Sequence, residues 1–174
     1  IEEMPTKQII EHLEKGTLDA GIAATPLDYE HILEKPLYYE PFMVYVPKHS
    51  KLNREKNITA DMLKTEQVLL LQDGHCFRNS ALNICKIKHE IPLTFEIKSG
   101  SFETLVQLAE EGLGITLLPY LHARKLNEVQ QRNLKSFEAP EPAREVSMVY
   151  HQRKLKLHII EALHDKIRAI IRGA

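Results

Sequence analysis

Cysteine is scarce in this chain: two residues in 174, Cys76 and Cys85. So few thiols exclude the disulfide-dense framework of small secreted domains and leave the pair free, redox-active or metal-bound in a reducing compartment. No run of about 18 apolar residues occurs, which excludes an apolar helix long enough to span a membrane. The N-terminus also lacks the charged, apolar and small-residue regions of a signal peptide, so a soluble cytoplasmic protein is expected. Neither sign of charge dominates, with 23 Lys and Arg against 24 Asp and Glu. A net charge near zero gives no electrostatic reason for tight binding to nucleic acid or anionic lipid. There is no repeat, no low-complexity tract and no Gly-rich phosphate loop; GLGIT at 112–116 reads as a helix stop followed by a strand start. An initiating Met is missing too, and a chain opening on Ile1 suggests a fragment of a longer protein.

What is present is an ordinary globular composition, 43% hydrophobic and 27% charged, long enough to bury a core in one domain or two small ones. A helix is predicted from Thr6 through Ile9, Ile10 and Leu13, with Thr6 as N-cap and Gly16 as the stop. LDAGIAATP (18–26) reads as a buried strand closed by Pro26. A second strand is expected near Phe42 to Val46 between Pro41 and Pro47, then a short helix from about Thr59 and the apolar run VLLL at 68–71. Further along come strand LTFEI (93–97), helix SFETLVQLAEEG (101–112) with Phe102, Leu105 and Leu108 on one side, and strand GITLLP (114–119). A short helix to about Leu126, strand VSMVY (146–150) and a final helix near 155–171 complete the pattern. That last helix is expected to align Ile160, Leu163, Ile167 and Ile170, with His158 and His164 at the surface. Alternating strands and helices, with continuous apolar runs, predict an α/β fold of mostly parallel strands.

Both cysteines fall in DGHCFRNSALNIC (73–85), which reads as one short helix. Nine residues of helix turn a side chain by about 180° and lift it roughly 13 Å. A disulfide needs Cα atoms within about 7 Å, so the two thiols cannot bond while the segment stays helical. Phe77, Ala81 and Ile84 share the face of Cys85, whereas Asn79, Ser80 and Asn83 share that of Cys76. Near a helix start, beside His75 and Arg78, a thiol is favoured as thiolate, so Cys76 is the candidate reactive residue and Cys85 its candidate resolving partner. Plainer readings stand beside this one: Cys85 as a small hydrophobe, His75 as a satisfied polar residue, Arg78 as a solvated helix residue. A zinc site from His75, Cys76, Cys85 and His89 fits none of the common ligand spacings.

The same string closely resembles the redox segment of OxyR-type hydrogen peroxide sensors, a branch of the LysR-type transcriptional regulators, with its D-G-H-C-x-R start and second Cys nine residues on. SFETLVQLAEEGLGITLLP is similar to the family's S-x-E-T-L and G-I-T-L-L-P segment, and LDAGIAA, PLYYEP and APEPAREVSMVY have counterparts in order. The resemblance implies a periplasmic-binding-protein-like (type II) effector domain of two α/β subdomains. Residues 1–41 and 146–174 would form subdomain I, lacking its first strand and helix, and residues 42–145 subdomain II with the cysteines. The family's N-terminal helix-turn-helix is absent, so DNA would be bound only through that missing part.

By the same resemblance, Thr6, His75, Arg78 and Arg144 would bind hydrogen peroxide around Cys76, no cofactor or metal would be needed, and the chain would not be an enzyme. Thr6 read alone is a helix cap, and Arg144 a surface ion-pair partner. Implied partners are a second copy in a dimer or tetramer, RNA polymerase, and thioredoxin or glutaredoxin as reductant, with no membrane. Two alternatives remain: an effector domain binding a small metabolite, or a thiol peroxidase, although LLLQDGHC lacks the Pro and Thr or Ser that peroxiredoxins place before their cysteine.

Overall fold

The computed structural model describes residues 1–72, 76–85, 99–153 and 156–173, without the side chains of Cys76, Asn79 and Cys85. The chain divides into two compact units, Ile1–Tyr39 with Arg144–Ala174, and Glu40–Ala143. The predicted strand at 93–97 lies outside the described residues, as do His75 and His89.

In the first unit, helix α1 (Thr6–Glu14) buries Ile10 and Leu13. It begins one residue earlier than expected: the cap is Pro5, held extended at φ −58°, and its carbonyl accepts from the backbone N–H of Gln8 and Ile9. Thr6 is therefore the first helical residue and not the cap, because proline fixes the extended entry that a cap requires. Gly16 ends the helix at φ 74°, a conformation that costs glycine nothing. Strand β1 (Gly21–Thr25) follows and pairs antiparallel with a later strand, β7 (Ala143–His151), in the register Ala23 opposite Ser147 and Thr25 opposite Glu145.

Strand β2 (Ile32–Tyr45) starts ten residues before the predicted one and runs through Pro36 and Pro41. It contributes residues 32–39 to the first unit and 40–45 to the second, and that double duty explains a length that local sequence did not suggest. The first unit's core consists of Ile10, Leu13, Ala23, Ile32 and Val149, with a second group of Leu37, Met148 and Ile160.

The second unit carries β3 (Asn57–Ile58), α2 (Ala60–Leu63), β4 (Val68–Leu69), α3 (Cys76–Cys85), α4 (Phe102–Glu110), β5 (Ile115–Pro119), α5 (Tyr120–Ala123), α6 (Glu128–Gln131) and β6 (Leu134–Phe137). Thr59 caps α2 by accepting from Met62 N, and Ser101 caps α4 by accepting from Thr104 N. The buried face of α4 is Leu105, Val106 and Ala109, with Phe102 and Leu108 partly buried. A short parallel pairing joins β4 to β5 and another joins β3 to β6, but β2 runs antiparallel to both β5 and β6.

The expectation of mostly parallel strands is thus corrected to a mixed α/β arrangement. All five residues of β5 are buried, yet one neighbour runs parallel and the other antiparallel. An apolar run reports that both faces are covered; it does not report strand direction.

The final helix of the first unit, α7 (Leu157–Arg172), buries Ile160 and His164. Leu163 and Ile170 are exposed at 49% and 65%. His158 lies at the surface as expected, but His164 does not: its Nε2 donates to the Pro36 carbonyl at 2.9 Å, and Nδ1 lies 3.0 Å from Asp165 Oδ1. A histidine on the inward stripe can be buried because the β2 backbone supplies its partner.

Candidate functional site

The cysteine segment forms a helix of ten residues, with Cys76 at its first position and Cys85 at its last. At 1.5 Å rise per residue the two Cα atoms stand roughly 13 Å apart along the axis. The geometric obstacle read from spacing therefore exists in the fold: α3 must open before Cys76 and Cys85 approach within disulfide range.

The helix is seated by residues at i, i+4 and i+7. Phe77 is 4% exposed and Ala81 fully buried, with Ile84 partly buried against the same core. Asn83, on the other side, is exposed and Ser80 half-buried. The polar and apolar faces thus fall where spacing put them.

Arg78 is engaged differently from the solvated residue it resembles in isolation. Its Nη1 donates to the carbonyl of Leu71 at 2.9 Å, fastening the first turn of α3 to the chain just beyond β4. Leu71 is itself buried, and the next residue, Gln72, donates its N–H to the Ser99 carbonyl at 2.8 Å. The tail of β4, the start of α3 and the approach to α4 are therefore tied together by hydrogen bonds. Beside them runs a file of rings: Phe42 to Phe77, Phe77 to Phe102 and Phe102 to His122, each pair with centroids 4.9 Å apart.

The structure thus groups Cys76, Arg78 and Cys85 on one helix of the second unit. Thr6, half-buried at the start of α1, and Arg144, half-buried in β7, belong to the first unit. His75 lies outside the described residues, and with it and His89 the zinc alternative. Among the described residues no cluster of three or more His, Cys, Asp or Glu is placed to hold a metal ion.

Beside Arg144 the fold assembles a polar cluster that sequence reasoning missed. The Glu145 carboxylate accepts from Thr25 Oγ1 at 2.9 Å, Ser147 Oγ at 3.0 Å and Tyr39 OH at 2.6 Å, and the Thr25 and Ser147 hydroxyls lie 2.8 Å apart. Donation from Tyr39, then from Thr25, holds the Glu145 carboxyl below the usual carboxylate range. Its members come from β1, β2 and β7, so only the strand register brings them together. The first unit also has a groove of about 470 Å³ whose lining includes Met4, Ile9, Leu18, Ile22 and Leu163. It contains none of the predicted site residues.

In the second unit Tyr45, fully buried, donates to Glu110 Oε1 at 2.7 Å and accepts from Asn133 Nδ2 at 3.2 Å. Burial pushes its phenol up to about 12, so this hydroxyl is a structural donor and not an acid at neutral pH.

Comparison with known proteins places this geometry in a family. Residues 1–171 match the LysR substrate binding domain. The chain is 31% identical over 177 residues to the hydrogen peroxide-inducible genes activator of Haemophilus influenzae, covering 98% of this chain and 58% of that protein. It is 32% identical over 174 residues to the DNA-binding transcriptional dual regulator OxyR of Escherichia coli K12, covering 99% and 56%. The chain therefore spans little more than half the length of these relatives. Among solved structures, the reduced OxyR regulatory domain from Pseudomonas aeruginosa superposes with a TM-score of 0.82 at 33% identity, covering 97% of this chain and 81% of that one. The chain belongs to the LysR substrate-binding domain family and, within it, to the OxyR regulatory domains.

Proposed function

We propose that this chain is the regulatory domain of a hydrogen peroxide-responsive transcription regulator, with Cys76 as the sensing residue and Cys85 as the resolving one. The observation that carries the reading is α3: the cysteines end a single helix anchored by Phe77 and Ala81, so bonding them requires a change of shape. The Cys76 thiolate attacks one peroxide oxygen; an S–O bond forms, the O–O bond breaks, and the departing hydroxide takes a proton to become water. Sulfur is oxidised by two electrons to a sulfenic acid. The Cys85 sulfur then displaces that oxygen, the S–S bond forms, and a second water leaves with the thiol proton.

Thr6, His75, Arg78 and Arg144 are the proposed donors to peroxide, stabilising charge on the leaving oxygen. A guanidinium has five N–H donors, so fastening Leu71 and donating to peroxide are compatible roles for Arg78. Re-exposing Phe77 costs about 2–3 kcal/mol, and a disulfide closing so short a loop contributes up to ~3 kcal/mol. These similar magnitudes suit a reversible switch.

The domain acts stoichiometrically, and no catalytic turnover is assigned to it. In the longer protein it is proposed to work in the cytoplasm as a dimer or tetramer, with DNA bound through a helix-turn-helix outside this chain. Oxidation would alter contact with RNA polymerase, and thioredoxin or glutaredoxin would restore the thiols. Among the described residues no helix is long and apolar enough to cross a membrane.

Mass spectrometry after one equivalent of peroxide tests the reading. A Cys76–Cys85 disulfide is expected, and Cys85→Ser is expected to accumulate Cys76 sulfenic acid trapped as a dimedone adduct. An unmodified Cys76 would sink the proposal, and sustained peroxide consumption with a reductase system would replace it with a peroxidase.

A further inference from the structure

We infer that the file of rings Phe42, Phe77, Phe102 and His122 is the latch that sets how readily α3 opens, and hence how fast a Cys76 sulfenic acid is resolved by Cys85. The inference rests on the sensing reading for its chemistry, but its geometry is independent of it. Phe77 directly follows Cys76, is the one aromatic residue of α3 and is 4% exposed, so the helix cannot unwind around Cys76 without moving this ring.

Phe77 is held on two sides. Phe42, in β2, packs against it at 4.9 Å with planes tilted by 35°, and Phe102, in α4, meets it edge to face at 4.9 Å and 88°. The edge-to-face arrangement is one the ring quadrupoles favour, so the Phe102 contact adds to simple burial. Outside Phe102 sits His122 at 4.9 Å, from α5, with its Nε2 3.6 Å from Glu103 Oε1. Glu103 is in turn fixed by the Ser101 hydroxyl at 2.6 Å. Phe102 and His122 are thus positioning residues: neither belongs to α3, and the ring contacts connect them to it through Phe77.

Resolution requires prior opening of α3, so its rate follows the opening equilibrium, whereas peroxide attack on Cys76 occurs before opening. Weakening the latch should then change the second step and spare the first. Phe102→Leu is the discriminating variant, because it keeps an apolar side chain, leaves α3 unaltered and removes the edge-to-face contact. Phe137→Leu, in the same core but outside the file of rings, is the control for general destabilisation.

Rapid mixing of the reduced 174-residue chain with peroxide, with quenched samples read by mass spectrometry, separates sulfenic acid formation from disulfide formation. Phe102→Leu is expected to accelerate disulfide formation three- to tenfold while sulfenic acid formation stays within twofold; Phe137→Leu should change neither step by more than twofold. Hydrogen exchange of the reduced chain gives a readout free of peroxide chemistry, and α3 amides should exchange faster by the same factor in Phe102→Leu only. Equal effects of the two variants, or unchanged α3 exchange in Phe102→Leu, overturn the latch. Faster α3 exchange in that variant together with an inert Cys76 would uphold the latch and reject the sensing reading.

Discussion

Replacing Arg78 by Met keeps most of the apolar stem and removes the donor that fastens α3 to Leu71. The Leu71 residue is 3% exposed, so its carbonyl loses a partner where water reaches it poorly. A hydrogen bond from a charged donor contributes ~1.5–3 kcal/mol, and partial exposure of Arg78 reduces this to about 1–2 kcal/mol. With tenfold for every ~1.4 kcal/mol, the opening constant of α3 should rise about 5- to 30-fold. Hydrogen exchange of peptides covering 76–85 in the reduced chain measures this directly, while residues 115–119 of β5 serve as an internal reference. Arg78→Lys, which retains the charge without the planar fork, should fall between Met and the unaltered chain. Exchange of α3 within twofold of the unaltered chain in Arg78→Met would refute the fastening role.

Tyr45→Phe should cost about 1–3 kcal/mol in urea unfolding, because Asn133, 5% exposed, loses the hydroxyl it donates to and Glu110 loses its donor; a change below 0.5 kcal/mol would contradict it. Glu145 has a folded pKa below its unfolded value, so its contribution is fully present above the ordinary carboxylate pKa of about 4.3 and fades as pH falls through the lowered folded value. The stability gap between the unaltered chain and Glu145→Ala should therefore be constant from pH 7 to about 5.5 and shrink below ~4.5; a gap that widens on acidification would be the wrong sign. Gly114 adopts φ 151°, and a Cβ there would meet the Gln67 carbonyl oxygen. Gly114→Ala should cost about 2 kcal/mol or more and lower the melting temperature, and an unchanged melting temperature would count against this account of the β4–β5 junction.

Elements whose signals are local were legible in the chain itself. Thr59 and Ser101 announce helix starts because a hydroxyl three residues ahead of an N–H caps it, and Gly16 announces an end because few other residues accept its backbone angle. The two faces of α3 followed from 3.6-residue periodicity, with Phe77 and Ala81 buried and Asn83 exposed. Thr6 was misread as a cap because a hydroxyl before an apolar stripe looks the same whether or not a proline already sets the helix entry.

The sequence by itself determined the helices α1, α3, α4 and α7, the apolar run of β5 and the pair of cysteines at opposite ends of one helix, because each depends on residues within a few positions of one another. Only the tertiary structure decided strand direction, the length of β2, the burial of His164 against the Pro36 carbonyl and the gathering of Thr25, Tyr39 and Ser147 around Glu145. These depend on register and packing between segments far apart in the chain, more than seventy residues for Phe42 and Pro119 and 120 for Thr25 and Glu145, for which one-dimensional spacing carries no signal. The fastening of Arg78 to Leu71 lies between the two cases: the residue was visible, but its partner was a backbone carbonyl, and every residue in the chain has one.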